Sequence, residues 1–368
     1  MSTIVIGAGA SGLACAIRLK QRVPDCDITI LERLSQPGKK ILATGNGRCN
    51  LSNTNAQHSK EVIDFFSQLG IITRTDDEGR IYPYSNQATT VADTLIDKCR
   101  ELGIRMVTEC EVISVTDKLC IKTTQGNFNA DNIVIAAGAM AQKSLGSNGS
   151  GFEILKALGH TITPLSPALV QLTSSSKYPR KLKGHRVKCN MTILLDNQPA
   201  GSEYGEVLFT DYGLSGIVTM NLSYIVSKNF NRSNPLKCHA VLDLVPELSE
   251  HELLKHIKKF GSLQGILGSR FSDIFEKQTN NNDEMTAKLA KNWKLIINGT
   301  KGFDFAQITD GGAELCEFNN YESTLVSHIF ACGEILNKQF PCGGFNLNFA
   351  WYSGIKTADR IADLYEGN

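Results

Sequence analysis

An α/β fold, a doubly wound parallel-sheet domain interrupted by a mostly antiparallel insert, is predicted by three features of this 368-residue chain. The first is its opening MSTIVIGAGASGLACAIRLKQR, an apolar strand, a glycine-rich turn from Gly7 to Gly12, and a helix. The second is the return of that texture late in the chain. There the apolar run 327–333 (SHIFACG) leads through another glycine-rich turn to a last helix, roughly 347–365. The third is the pattern between them. Residues 165–246 alternate apolar and polar side chains, the period of strands with one buried face.

Each part of the opening has a physical task. Gly7 makes a tight turn, Gly9 lets a ligand approach the backbone, and Gly12 lets helix and strand pack closely. The helix start offers free N–H groups and partial positive charge to a pyrophosphate. Glu32, twenty residues past Gly12 at the end of DITILE, can accept hydrogen bonds from a ribose 2′-OH. That acid disfavours a 2′-phosphate, so this Rossmann fingerprint expects NAD or FAD rather than NADP, and by itself does not choose between the two.

Further along, residues 37–53 (PGKKILATGNGRCNLSN) read as a polar, glycine-rich loop outside the core. Residues 89–102 read as an amphipathic helix with Val91, Leu95, Cys99 and Leu102 on one face. Strands at 105–109, 111–116 and 119–124 suggest a small antiparallel insertion, and 132–138 (NIVIAAG) a buried parallel strand. A helix at 151–159 follows. Residues 247–292 are helical and polar in pattern, and strand-like sequence resumes at 293–298. The expected division is 1–164 and 304–368 for the nucleotide-binding domain and 165–303 for the insert. Within the insert, 165–246 would be β, 247–292 helical and 293–303 a return strand.

Composition narrows the function. The formal charge of +1, with 42% hydrophobic and 20% charged residues, is that of an ordinary globular protein and argues against nucleic-acid and membrane-surface partners. One basic run, 177–188 (KYPRKLKGHRVK), is most simply a solvated loop and strand edge. No stretch approaches the roughly 18 apolar residues of a membrane span, and the start does not read as a signal peptide. Eleven scattered cysteines lack any CxxC pair, so neither a metal site nor a disulfide framework is expected. Buried free thiols in a reducing cytoplasm fit that usage.

Three more segments fall at the C-terminal ends of predicted parallel strands, the edge where open α/β sheets bind ligands. In 38–53, Lys39 and Lys40 can neutralise phosphate while Gly45 and Gly47 expose amides in a nest-like loop. In 135–138, small residues let a cofactor lie against the strand end. In 331–334 and 342–347, glycines aim a helix N-terminus at whatever lies there, a favourable place for the charge that a reduced flavin gains. No catalytic acid or base stands out. Tyr84, His185, Tyr212 and Tyr352 could reach a substrate, although packing roles suit each of them better. Cys49, beside Arg48, is a candidate for a lowered thiol pKa.

In order along the chain, GKKILATGNGRCNLSN, GRIYPYSNQATTVADTL, GSNGSGFEILKALGH, GEVLFTDYGLSG, AQITDGGAEL and ACGEILNKQFPCGGFNLNFAWYSG resemble the HI0933-like, or aminoacetone-oxidase, family of FAD-binding oxidoreductases over almost the whole length. The resemblance implies a glutathione-reductase-type FAD domain with an inserted β-barrel and a small helical part. Gly7, Gly9, Ala10, Ser11 and Gly12 would hold the pyrophosphate. Glu32, with Arg33 beside it, would hold the adenosine ribose, and Val112 would meet adenine through its backbone. Ala137 and Gly138 would line the cofactor. Lys39, Lys40, Thr44, Gly45, Asn46, Gly47, Arg48, Cys49 and Asn50 would wrap the flavin end. Gly333, Glu334, Asn346, Leu347 and Ala350 would meet the ribityl chain and pyrimidine edge. The chain departs from the family pattern at Asn46, Asn337, Gln339–Phe340 and Cys342.

No second GxGxxG unit follows residue 140, where a glutathione-reductase-like enzyme would carry one for NAD(P)H. The opening fingerprint is therefore read as an FAD site, and any NAD(P)H would dock directly at the flavin. The expectation is a cytoplasmic FAD-dependent oxidoreductase acting on a small molecule by hydride transfer at N5, as oxidase or as NAD(P)H-dependent reductase. A flavin-binding protein without turnover, a sensor or assembly partner, is the alternative.

Overall fold

A computed structural model of the chain describes residues 1–366. It divides into two compact units, Met1–Leu165 with Ile308–Asn368, and Ser166–Gln307. The first is built on a seven-stranded sheet. Five strands run parallel, in the order Ile329–Ala331, Asn132–Ile135, Ser2–Ile6, Asp27–Leu31 and Arg105–Val107. A hairpin of Phe318–Asn319 and Glu322–Ser323 extends the first of these antiparallel. The strand Ser2–Ile6 sits centrally, with Ile4 opposite both Thr29 and Ile133. The chain leaves it first toward Asp27–Leu31 on one side and later returns as Asn132–Ile135 on the other, which makes its C-terminal end a topological switch point.

Both sheet faces are covered. On one, helices Ala10–Arg22, Ala88–Glu101 and Phe345–Glu366 bury Leu13, Ile17, Leu95, Trp351 and Ile361 against Val5, Ile30, Val134 and Phe330. On the other, helix Ser150–Ala157 and a meander of Val112–Val115, Cys120–Thr123 and Gly126–Asn129 cover Ile4, Ile6, Ile133 and Ile135. Because strand side chains alternate, one apolar strand serves two cores.

The second unit is a closed six-stranded antiparallel barrel. Its order is Leu172–Ser174, Gly213–Ser215, Gln198–Phe209, Arg186–Leu195, Cys238–Asp243 and Trp293–Thr300, which pairs back with the first. Helices Glu250–Phe260, Gln264–Leu267, Ser269–Thr279 and Asp283–Lys291 form its helical part, and Trp293, Phe209, Phe271 and Phe275 pack edge-on or tilted in its core.

The glutathione-reductase-type Rossmann domain with an inserted antiparallel barrel is thus the fold. Three local expectations are corrected. Residues 217–230 within the expected β region form a helix. Its sequence, IVTMNLSYIVSKNF, is apolar on most sides and rich in β-branched residues, so it lacks the period that separates helix from strand. Arg105–Val107 is the parallel edge strand of the main sheet rather than part of an antiparallel insertion, because it pairs with Asp27–Leu31. The 37–53 segment contributes to the core: Lys39–Ala43 is helical, and Ile41, Cys49 and Leu51 are buried.

Candidate cofactor site

The glycines of the opening turn are fixed by backbone contact. Gly7 has φ +106°, and a Cβ there would stand 2.5 Å from the Ala136 carbonyl oxygen. A Cβ on Gly12 would stand 2.0 Å from the Gly7 carbonyl oxygen. At Gly9 a Cβ meets nothing within 4 Å, so this glycine faces open space. The helix begins there without a capping side chain, and its first intrahelical bond runs from Leu13 N–H to the Gly9 carbonyl. The amides of Ala10, Ser11 and Gly12 are therefore left toward that space, as a phosphate requires.

Glu32 stands at the end of the neighbouring strand. One carboxylate oxygen accepts from Ala8 N–H at 2.9 Å and the other from Leu34 N–H at 2.8 Å. Each oxygen keeps a lone pair, so the group is oriented and still able to take ribose hydroxyls. Arg33 donates to the Gly146 carbonyl at 3.0 Å and ties two loops together. Val112 is buried at the start of the meander, opposite Thr123.

The 44–50 loop carries a succession of left-handed residues, with φ of 57° at Gly45, 55° at Asn46, 81° at Gly47 and 57° at Cys49. Such turns point successive amides toward one side. Arg48 lies over the Tyr82 ring, 4.7 Å from its centroid, and donates to the Gly45 carbonyl. Asn50 Oδ1 is buried without a hydrogen-bond partner, and a Cβ on Gly344 would stand 2.6 Å from it. Gly344 closes over this orphaned acceptor, so the features that fit an anionic or hydrogen-bonding group such as a flavin edge are the left-handed 44–50 loop and the helix start beside it. The helix start is that of Phe345–Glu366, where Asn348 N–H donates to the Gly344 carbonyl and the amides of Phe345, Asn346 and Leu347 precede it.

Three residues behave differently from expectation. Lys40 does not stand free for phosphate: its ammonium is 2.7 Å from Glu334 and also donates to the Ala141 carbonyl. Glu334 accepts in turn from Thr309 N–H at 2.9 Å. The Asn346 side chain brackets Phe340, accepting from its N–H and donating to its carbonyl, and so shapes the 340–346 turn. Burial pushes the Cys49 thiol up to about 12, against the expected lowering, because desolvation outweighs its bond to Thr44. Lys39, Thr44, Ala137, Gly138, Gly333, Leu347 and Ala350 lie on these same segments, with Gly333 N–H held by the Ser353 hydroxyl at 2.9 Å.

Ser353 and Gly354 were not singled out in sequence. A Cβ on Gly354 would stand 2.2 Å from the Ser11 carbonyl oxygen, so this glycine sets the approach of the first and last helices. The only signal was the small Ser353–Gly354 pair in an otherwise bulky stretch. Of the four candidate acids or bases, Tyr352 stacks on His58 with centroids 4.0 Å apart. Both line a cleft of about 240 Å³ with Tyr321, Lys338, Phe340 and Phe345. Tyr84 is largely exposed beneath Arg74, while His185 and Tyr212 belong to the barrel unit, against Phe271 and Lys301.

A dinucleotide cleft at the switch point of a Rossmann sheet, with an antiparallel insert and no second fingerprint, defines a flavoprotein-type oxidoreductase fold. The chain belongs to the HI0933-like protein Rossmann domain family, whose profile matches residues 1–60 and 54–360. It is similar to 3-dehydro-bile acid delta(4,6)-reductase of Clostridium scindens, 32% identical over 98% of both chains. It is also similar to the ribosomal RNA dihydrouridine synthase of Haemophilus influenzae, 24% identical over 98% of both. Among solved structures, 3-ketosteroid-delta4-(5alpha)-dehydrogenase from Rhodococcus jostii RHA1 shares the fold, with TM-score 0.53 at 14% identity, covering 98% of this chain and 96% of that one. A relative named for ribosomal RNA removes the support for excluding nucleic acid on net charge alone. Among the described residues, no helix is long and apolar enough to cross a membrane.

Proposed function

We propose that this chain is an FAD-dependent reductase that saturates a carbon–carbon double bond conjugated to a carbonyl group. The observation that carries the reading is a chemistry common to the two relatives. A 3-oxo steroid with Δ4,6 unsaturation and a uridine each present a double bond conjugated to a carbonyl, and each relative is named for reducing one. The bile-acid reductase is similar over nearly the full length of this chain. Bound FAD, once reduced by two electrons from NAD(P)H, would supply the hydride for the β-carbon, and a proton from solvent would complete the α-carbon.

On this reading residues 1–164 and 304–368 form the FAD domain and 165–303 the insert. The amides of Ala10, Ser11 and Gly12 hold the pyrophosphate, and Glu32 holds the ribose. The 44–50 nest, Asn50 and the start of the last helix hold the flavin end and stabilise negative charge there. NAD(P)H is the reductant and docks directly at the flavin, since the chain offers no second fingerprint. The test is anaerobic. Purified protein loaded with FAD should bleach with NADH or NADPH and regain its colour on adding a conjugated enone or a uridine-containing RNA. Protein that takes up no FAD, or whose reduced flavin is reoxidised only by oxygen with release of hydrogen peroxide, overturns the reading.

A further inference from the structure

The barrel unit carries a concentration of charge that the chain's net +1 conceals. Between 177 and 188, Lys177, Arg180, Lys181, Lys183, Arg186 and Lys188 supply six cations with no acid among the twelve residues. The run leaves the core at a short helix, Tyr178–Lys181, and enters the strand Arg186–Leu195. Asp211 engages Lys183 at 2.7 Å and Glu206 engages Arg186. Lys177 and Lys181 are exposed and have no ion-pair partner among the described residues. A solvated loop tolerates such a run, but does not explain what stands beside it.

Arg180 Nε donates to the Asp211 carbonyl, placing the short helix against the 210–213 turn. Tyr212 of that turn lies under Lys301, whose ammonium is 4.9 Å from its ring centroid and 4.2 Å from that of Phe305. Phe305 is 52% exposed, a large apolar ring held at the surface by a cation rather than by a core. Lys177 lies over the Tyr178 ring in the same way, at 5.5 Å. Cations interleaved with accessible rings suit a flexible polyanion that also carries flat faces. Phosphates take the cations, and bases stack on the rings.

We propose that this face, Lys177, Arg180 and Lys181 with Tyr212, Lys301 and Phe305, binds single-stranded RNA. The substrate class within the proposed reductase reading, on which this inference rests, is then a pyrimidine carried in RNA. A free steroid has neither repeated phosphates nor aromatic bases to stack on the rings.

The experiment is fluorescence anisotropy of a short fluorescein-labelled, uridine-rich RNA with the full-length, FAD-loaded protein over a range of salt. Wild type should bind with salt-sensitive affinity. Lys177→Glu with Lys181→Glu should weaken binding more than about tenfold at low salt and flatten the dependence of log affinity on log salt by at least about 1.4, from two lost single-strand contacts. Phe305→Ala should weaken binding with the salt slope unchanged, the mark of stacking rather than charge. Failure of wild type to bind, or double-variant affinity and slope equal to wild type, overturns the proposal. Mass spectrometry of the RNA for added hydrogen is read separately. Binding that follows the variants without any reduced uridine keeps the RNA face and sinks the reductase reading on RNA.

Discussion

Gly12 and Gly7 approach so closely that a methyl group on Gly12 would lie 2.0 Å from the Gly7 carbonyl oxygen. The atom in the way is backbone at the end of the central strand, so no rotamer change can relieve the contact. Gly9, three residues earlier in the same motif, has nothing within 4 Å of its missing Cβ.

The two glycines should therefore fail differently. Gly12→Ala is expected to destabilise the protein by several kcal/mol or prevent folding, as overpacking against backbone does. Gly9→Ala should leave the thermal stability of the cofactor-free protein within about 0.5 kcal/mol of wild type. On the proposed reading it should nevertheless lose most FAD affinity, because the methyl group would enter the space proposed for the pyrophosphate. Flavin absorbance after dialysis against excess FAD, with thermal melts of the stripped protein, separates the two effects. Full flavin retention by Gly9→Ala would place the cofactor elsewhere.

The Lys40–Glu334 pair links the 37–53 segment to the loop after the strand Ile329–Ala331, with both side chains about three-quarters buried. Lys40→Met leaves Glu334 with only the Thr309 amide for its charge. The expected loss is about 1–2 kcal/mol in urea unfolding of the stripped protein, reduced from the fully buried case by partial solvation. Glu334→Gln should cost less, since the amide oxygen can still accept from Thr309. Equal midpoints for Lys40→Met and wild type would show that solvent carries the pair.

His160 is buried between Glu317, 3.0 Å from Nδ1, and the Ser323 hydroxyl, 2.9 Å from Nε2, and stacks on Phe318. The trio has the outline of a nucleophile relay, but Ser323 Oγ already accepts from the Leu325 and Val326 amides. Its one proton goes to Nε2, which leaves Nδ1–H to donate to Glu317. The arrangement therefore fastens the 315–326 hairpin and is not a reaction centre.

A pH dependence follows from Glu317. Burial pushes its carboxyl up, but bonds from Thr161 and the contact with His160 outweigh that and hold it below the usual glutamate range. The folded state thus binds fewer protons than the unfolded one as acid is added. This stabilisation is complete above the ordinary glutamate pKa and lost as pH falls through the lowered folded value. Glu317→Gln should lower the melting temperature at neutral pH and flatten its fall below about pH 4.5. An unchanged acid limb in the variant would remove Glu317 from the acid sensitivity of the fold.

Much of the cofactor cleft could be read from sequence because its physics is local. A tight turn, a free helix start and an acid at the next strand's end are each set by neighbours in the chain. Where partners were distant, the reading failed. Sequence offers Lys40 to phosphate because its partner Glu334 lies 294 positions away. Adjacent Arg48 suggests an activated Cys49 thiol, but burial outweighs the bond to Thr44 and raises it, and Arg48 turns to Tyr82. Helix Ile217–Phe230 was lost because apolar residues on most of its sides erase the periodicity that marks a surface helix.

By itself, the sequence determined the Rossmann start at Gly7–Glu32, the antiparallel insert and the late return to the first domain. Each follows from a short-range period or from a residue type that a backbone angle demands. Tertiary structure alone decided that Leu172–Ser174 and Trp293–Thr300 are the strands that close the barrel, that Gly354 meets Ser11, and which polar groups near the cleft are already paired. Closure, close approach and charge pairing depend on atoms brought together across hundreds of residues, and no local pattern encodes them.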